Sequence, residues 1–402
     1  MKEGLFMAVK SNKFALYVLM FNMFIAMSGI GLIIPIMPAY LDTFGVAGQA
    51  LGTLIATFAL AQFLFSPLSG QLSDKYGRKK LIIFGLIVFG LSQLAFGLAS
   101  HLWILYLARF FSGLGAAFLI PPMMAFVADI TTFEERGKGM GLLGASMSLG
   151  FMIGPGIGGF LAEVSIQFPF YVATAVALIA AFISFVVLPN VAPTVQAADQ
   201  KSENLLQQLK RSTYTPYFVM LLVMFIFAFG LANFQSTIAL YADKKFGFTP
   251  KEIAILITIG GFVGVVVQTF VIDKLFKRFG EMKVILVNLL VSAGAMIGIL
   301  FVSSFWAILL VAAVFFTAAS LLRPAINTLI SKLAGDEQGF AAGMNNAYMS
   351  LGNMIGPALA GILFDINMSY PYILGTAILI TCFFIANTWS MRKQQLLATS
   401  RS

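Results

Sequence analysis

Met147 to Pro155 reads MSLGFMIGP, and Met349 to Pro357 reads MSLGNMIGP, 202 positions later in a chain of 402 residues. The same offset, without a gap, aligns Pro122 with Pro324, Glu135 with Glu337, Gly141 with Gly343, Gly159 with Gly361 and Pro169 with Pro371, and sets Glu163 opposite Asp365. The chain is therefore a tandem duplication. Each copy carries Gly-x-x-x-Gly-Pro, ending at Gly154–Pro155 and at Gly356–Pro357. Small residues four apart let helices approach closely in a bilayer, and proline removes a donor and bends a helix. Helix packing alone is one reading of the repeat. Matched bends in symmetry-related helices point further, to a two-state contact that opens alternately to each side.

Composition places the duplication in a membrane. With 59% hydrophobic and 10% charged residues and 41 Phe, and a mean hydropathy of +0.93, the chain lacks the polar surface that covers a soluble globule. Apolar runs of the roughly 20 residues needed to cross a bilayer begin near Phe14, Leu51, Leu81, Leu102, Gly139 and Pro169. A second set begins near Pro216, Glu252, Lys283, Phe305, Ala341 and Tyr370. The runs are continuous rather than alternating, which predicts helices and not barrel strands. The fold class is an all-α membrane protein with twelve transmembrane helices in two six-helix bundles. Six is even, so both copies keep one orientation, as a parallel repeat. The predicted bundles are 1–190 and 216–402, joined by a polar linker over 191–215.

Twenty Lys and Arg fall on the N-terminal side of the membrane and three, Lys244, Lys245 and Lys251, on the other. This predicts both termini in the cytoplasm, with the first apolar run an uncleaved helix reaching to about Tyr40. The net charge of +9 is then topological, and no nucleic-acid partner is expected. Cys382 is the single cysteine, which rules out an intrachain disulfide. No metal, cofactor or enzymatic chemistry is expected. Gly154, Gly156 and Gly159 spell G-x-G-x-x-G, but no strand precedes them, and no G-x-x-x-x-G-K-[ST] occurs to power a primary pump.

Four stretches, in order, carry a family resemblance. GLIIPIMPAYL (Gly31–Leu41), GQLSDKYGRKKL (Gly70–Leu81), LYLARFFSGLGAA (Leu105–Ala117) and GFMIGPGIGG (Gly150–Gly159) resemble motifs of the major facilitator superfamily, the last one its drug/proton antiporters. FALAQFLFSP, RPAI and QGFAAGMNNAYMSLGNMIGP further resemble Gram-positive quinolone and multidrug exporters. The resemblance implies the major facilitator fold and proton-driven export of small amphipathic drugs across the bacterial cytoplasmic membrane, by a functional monomer. Export of an endogenous metabolite or sugar is the rival reading.

Asp74, Gly77 and Arg78, with Asp129 as companion, form a candidate gate latch, to be weighed against a merely solvated basic loop. The matching loop of the second half, DKLFKRFGEMK, looks degenerate. Arg109 stands within a span, where an arginine costs from about 2.5 to over 10 kcal/mol. A structural arginine bonded to carbonyls is one reading; a cavity residue is the better one. Arg323 follows the same argument, with Phe316 on its helical face. Amides and aromatics at helical spacing complete a candidate lining, and the resemblance supports Phe58, Gln62, Arg109, Phe151, Phe316, Arg323 and Asn353. Asn233 and Gln235 interrupt an apolar helix and are added on that ground.

The resembled exporters place carboxylates in two cavity walls where this chain has Gln235 and Ser320. All sixteen acids lie in loops or near span ends. Proton-coupling candidates are therefore Asp42, Asp129 and the repeat-matched Glu163 and Asp365, with end-capping as the rival role of the last two.

Overall fold

The computed structural model describes residues 2–190, 205–335 and 337–399. The helices are α1 (Lys2–Gly31), α2 (Met37–Asp42), α3 (Gly48–Tyr76), α4 (Arg78–Gly97), α5 (Leu102–Ala117), α6 (Ile120–Ile130), α7 (Phe133–Leu161) and α8 (Phe168–Val187). There follow α9 (Leu205–Ser212), α10 (Phe218–Phe246), α11 (Pro250–Phe279), α12 (Glu281–Gly298), α13 (Phe305–Ala334), α14 (Gln338–Ile366) and α15 (Tyr370–Thr399). Among the described residues, twelve segments are long and apolar enough to cross a bilayer, α5 and α6 together making one of them. Their outward rings, such as Phe182, Phe185 and Trp306, are exposed, as lipid-facing positions require.

Proline explains where the first helix departs from expectation. The first helix was expected to run to about Tyr40, but it stops at Gly31 and a short helix follows from Met37. Pro35 and Pro38 have no N–H to return to Gly31 and Ile34, so the helical ladder cannot continue. Of the linker, 191–204 lies outside the described residues. Its end forms α9, which Arg211 ties to Glu337 at 2.5 Å.

Two compact units emerge. The first comprises 1–45, 57–200 and 248–255; the second comprises 46–56, 201–247 and 256–402. Thus the first turns of α3 pack with the second unit, and the first turns of α11 with the first. The core of the first unit gathers Leu19 and Met23 from α1, Leu86 and Phe89 from α4, Met123 and Phe126 from α6, and Ala177 and Ala180 from α8. In the second, Phe234 of α10 stacks on Phe315 of α13 with centroids 3.9 Å apart.

The repeated glycines are close-packing positions. A Cβ on Gly154 would lie 2.6 Å from the Ser28 carbonyl oxygen, and one on Gly150 2.5 Å from that of Phe24. In the second copy, a Cβ on Gly356 would lie 2.6 Å from the Phe229 oxygen, and one on Gly352 2.5 Å from that of Phe225. Backbone therefore rests on backbone where α7 meets α1 and where α14 meets α10. In a bilayer, where burial of apolar surface gives little drive between helices, such contact supplies the packing energy.

Tyrosines close the opposite ends in both units. Tyr40 donates to the Phe96 carbonyl at 2.7 Å, and Tyr241 to that of Ile299 at 3.4 Å. Both acceptors lie in the last turn of a span, where carbonyls have no helical partner. Burial, helped by neighbouring Tyr171, pushes the Tyr40 hydroxyl up to about 12, so it remains a donor.

Candidate functional site

The α3–α4 junction turns at Gly77, whose φ of 94° suits glycine and few other residues. Arg78 then opens α4 and bridges two carboxylates. It pairs with Asp74 one turn back and reaches Asp129 at the end of α6 with Nε 3.1 Å from Oδ2. It also donates to Ser73 Oγ at 2.6 Å. The arginine side chain is only 11% exposed, so the guanidinium is held on several sides by charge-assisted bonds.

The second copy keeps the turn but with its charges reversed. Gly280 makes the same turn with φ 76°. Glu281 opens α12 and takes a bond of 2.5 Å from Lys332 near the end of α13. An acid thus stands at the head of the helix and a base at the foot, the inverse of Arg78 and Asp129. Lys332 is 61% exposed, which makes this the weaker pair.

Arg109 is 5% exposed, with its guanidinium carbon 5.1 Å from the Phe96 ring centre. Its Nε has no hydrogen-bond partner among the described residues. Neighbouring α3 comes close enough that a Cβ on Gly113 would meet the Phe58 carbonyl at 2.2 Å. Phe58, Gln62 and Phe151 are half-buried, and Phe151 leans on the core of the first unit.

In the second unit two expected lining residues are instead packed. Asn233 is fully buried and donates to the Pro371 carbonyl at 3.0 Å, tying α10 to α15. Phe316 is 7% exposed; it fills the space that Gly260 leaves open on α11 and meets the Phe234 ring edge-on. Both are core because the neighbouring helix leaves space or an acceptor for them. Ser320 likewise donates to the Gly264 carbonyl at 2.9 Å. Gln235 and Asn353 are half-buried, and Arg323 is exposed. One turn beyond Arg323, Asn327 accepts a bond of 2.8 Å from Asn345 of α14. Asn327 and Asn345 were missed in the sequence, where the one signal was the spacing of Asn327, four positions from Arg323 on the same helix. No acid stands on α13, and the one described acid within α14 is Asp365, in its last turn.

The acids at the far ends are engaged. Glu163 takes a bond of 2.9 Å from Lys251 within the first unit. Asp365 accepts from two consecutive backbone amides within the second, Gly48 N at 2.8 Å and Gln49 N at 2.7 Å. Asp42 is exposed at the end of α2.

The sequence pattern of the Major Facilitator Superfamily matches residues 19–335 and 220–399. The chain belongs to the Major Facilitator Superfamily. It is 42% identical over 395 residues to Multidrug resistance protein 2 of Bacillus subtilis (strain 168), covering 97% of this chain and 99% of that protein. It is 38% identical to the Quinolone resistance protein NorA of Staphylococcus aureus over 356 residues, 89% of this chain and 91% of that one. Among solved structures, a bacterial homologue of the human lysosomal transporter Spinster superposes with a TM-score of 0.74 at 16% identity, over 94% of this chain and 97% of that one. That likeness concerns the fold.

Membership of the Major Facilitator Superfamily makes the chain a multi-pass membrane protein of a transporter family rather than an enzyme family. It also gives these charged features a common setting. Arg109 and Arg323 lie within spans in a superfamily whose members move solutes across membranes, and the helix-end ion pairs lie where spans turn.

Proposed function

We propose that the chain is a proton-coupled exporter of amphipathic drugs, fluoroquinolones included, working by alternating access as a monomer in the bacterial cytoplasmic membrane with both termini inside. The observation that carries this reading is the 42% identity to Multidrug resistance protein 2 along nearly the full length of both chains. The side chains support it. Phe58, Gln62, Arg109, Phe151, Gln235, Arg323 and Asn353 line the drug path, with Asn327 and Asn345 added to them. Arg78 with Asp74 and Asp129 latches one end of the path, and the Gly-Pro pairs Gly154–Pro155 and Gly356–Pro357 are the points at which α7 and α14 flex.

The driving force suffices. One entering proton releases about 2.3 kcal/mol per 100 mV and about 1.4 kcal/mol per pH unit. Asp42, Asp129, Glu163 and Asp365 are the acids from which the carrier is drawn. Purified protein in proteoliposomes, with an internal pH dye, tests the whole reading. Adding a quinolone should start proton movement opposite to drug movement. Drug transport without proton movement would remove the coupling, and neither movement would remove the function.

A further inference from the structure

The two exchanged segments are held by unlike clasps at repeat-related positions. With the 202-residue offset, Gly48, Gln49 and Gly52 of α3 correspond to Pro250, Lys251 and Ala254 of α11, and Gly361 and Asp365 of α14 to Gly159 and Glu163 of α7. The same pairs meet in both places. A Cβ on Gly361 would lie 2.1 Å from the Gly48 oxygen, and one on Gly52 2.0 Å from the Pro357 oxygen. In the other unit, a Cβ on Gly159 would lie 2.7 Å from the Pro250 oxygen and 2.3 Å from the Ala254 Cβ.

The chemistry of the clasps differs because position 250 is proline and offers no N–H. There α11 caps itself: Thr249 and Glu252 bond each other in a capping box, with Thr249 N 2.8 Å from Glu252 Oε2. Its hold on α7 is the Lys251–Glu163 pair, with side chains 41% and 52% exposed. Such a pair contributes little. The first amides of α3 instead bond both oxygens of Asp365, 317 and 316 positions away. A carboxylate at a helix N-terminus gains from the charge-assisted bonds and from the positive end of the helix dipole.

We infer that Asp365 is the positioning residue that governs release of the N-terminal turns of α3 from α14, and that this release is the step opening that side of the transporter. Glu163–Lys251 is the looser counterpart. The inference rests on the alternating-access reading above, and its test separates the two. Spin labels at Gln49→Cys and Ile366→Cys, in a Cys382→Ala background, report the α3–α14 distance directly in liposomes. Asp365→Asn, which removes the charge and one acceptor, should raise the separated population about tenfold, as expected for a lost bond to a charged group. Glu163→Gln should change it less than about twofold. Gln49→Pro, read out with a second label pair, Val46→Cys with Ile366→Cys, deletes one donor in the first turn of the helix, where proline is tolerated. It should act in the same direction and less than additively with Asp365→Asn. An unchanged distance distribution in Asp365→Asn overturns the clasp. If the protein with Asp365 intact neither transports nor changes distance with drug, the transport reading fails, while the Asp365→Asn comparison still decides the clasp.

Discussion

Arg109 faces the Phe96 ring at 5.1 Å, and its Nε is buried without a hydrogen-bond partner among the described residues. A cation–π contact contributes about 0.5 to 2 kcal/mol, less than the cost of holding an arginine in a span. Packing therefore does not account for its presence. Arg109→Ala should insert and accumulate normally yet lose drug efflux, by about tenfold or more. Whole-cell efflux normalised to protein level is the measurement. Undiminished efflux would take Arg109 out of the mechanism.

Asp74 shares Arg78 with Asp129, so Asp74→Asn should loosen the latch without emptying it. We expect turnover to fall several-fold while drug affinity stays within about twofold, because well-separated sites act independently. Equilibrium binding and transport rate on one preparation separate the two. Lost affinity with an unchanged rate of conformational exchange would contradict the latch.

Glycines of the repeat divide into two groups that differ in sign. A side chain at Gly154 or Gly356 would be driven into a facing carbonyl, so Gly154→Leu and Gly356→Leu should each cost about 1 to 3 kcal/mol or more. Gly141 and Gly343 match in the repeat just as well, but among the described residues no atom lies within 4 Å of an added Cβ. Gly141→Ala and Gly343→Ala should be neutral or stabilising by about 0.5 to 1 kcal/mol. Thermal unfolding in detergent would distinguish this from a role for all four in packing.

The arginines Arg109 and Arg323 stand within spans, while the acids of the chain are confined to loops and span ends. Quinolones bring their own carboxylate and should be exported clearly better than permanently dicationic drugs. A dication also moves against about 4.6 kcal/mol per 100 mV, twice the single-charge figure. Gln235→Glu should shift preference towards cations. Matched vesicle assays test this, and equal export of dications by the unaltered protein would show that an end-located acid reaches the drug.

The features legible in sequence were those set by regular spacing. Twelve apolar runs, the duplication, the turn glycine Gly77 and the close-packing glycines all follow from one-dimensional patterns. The lining was less legible because burial inside a membrane depends on the facing helix. Phe58 and Phe316 are both aromatics on helical faces, yet Phe316 is buried because Gly260, 56 positions earlier, makes room for it. Asn233 looked like a polar interruption, and a carbonyl on α15 turned it into a tie. The reversed pair Glu281–Lys332 escaped notice because the repeat keeps the contact and changes the sign of each partner.

Segment exchange also bears on how the halves could be made as separate polypeptides. A chain severed within 191–204 would leave the first half with the amides of Gly48 and Gln49 deprived of Asp365, and the second with Lys251 deprived of Glu163. Neither fragment would then be complete alone, and co-expressed fragments should purify together while each by itself is degraded. Two copies of the first half would be a poor substitute. They would offer glutamate to the α3 amides where the natural partner is aspartate, one methylene shorter, so a fusion of such copies should accumulate less than the paired natural fragments.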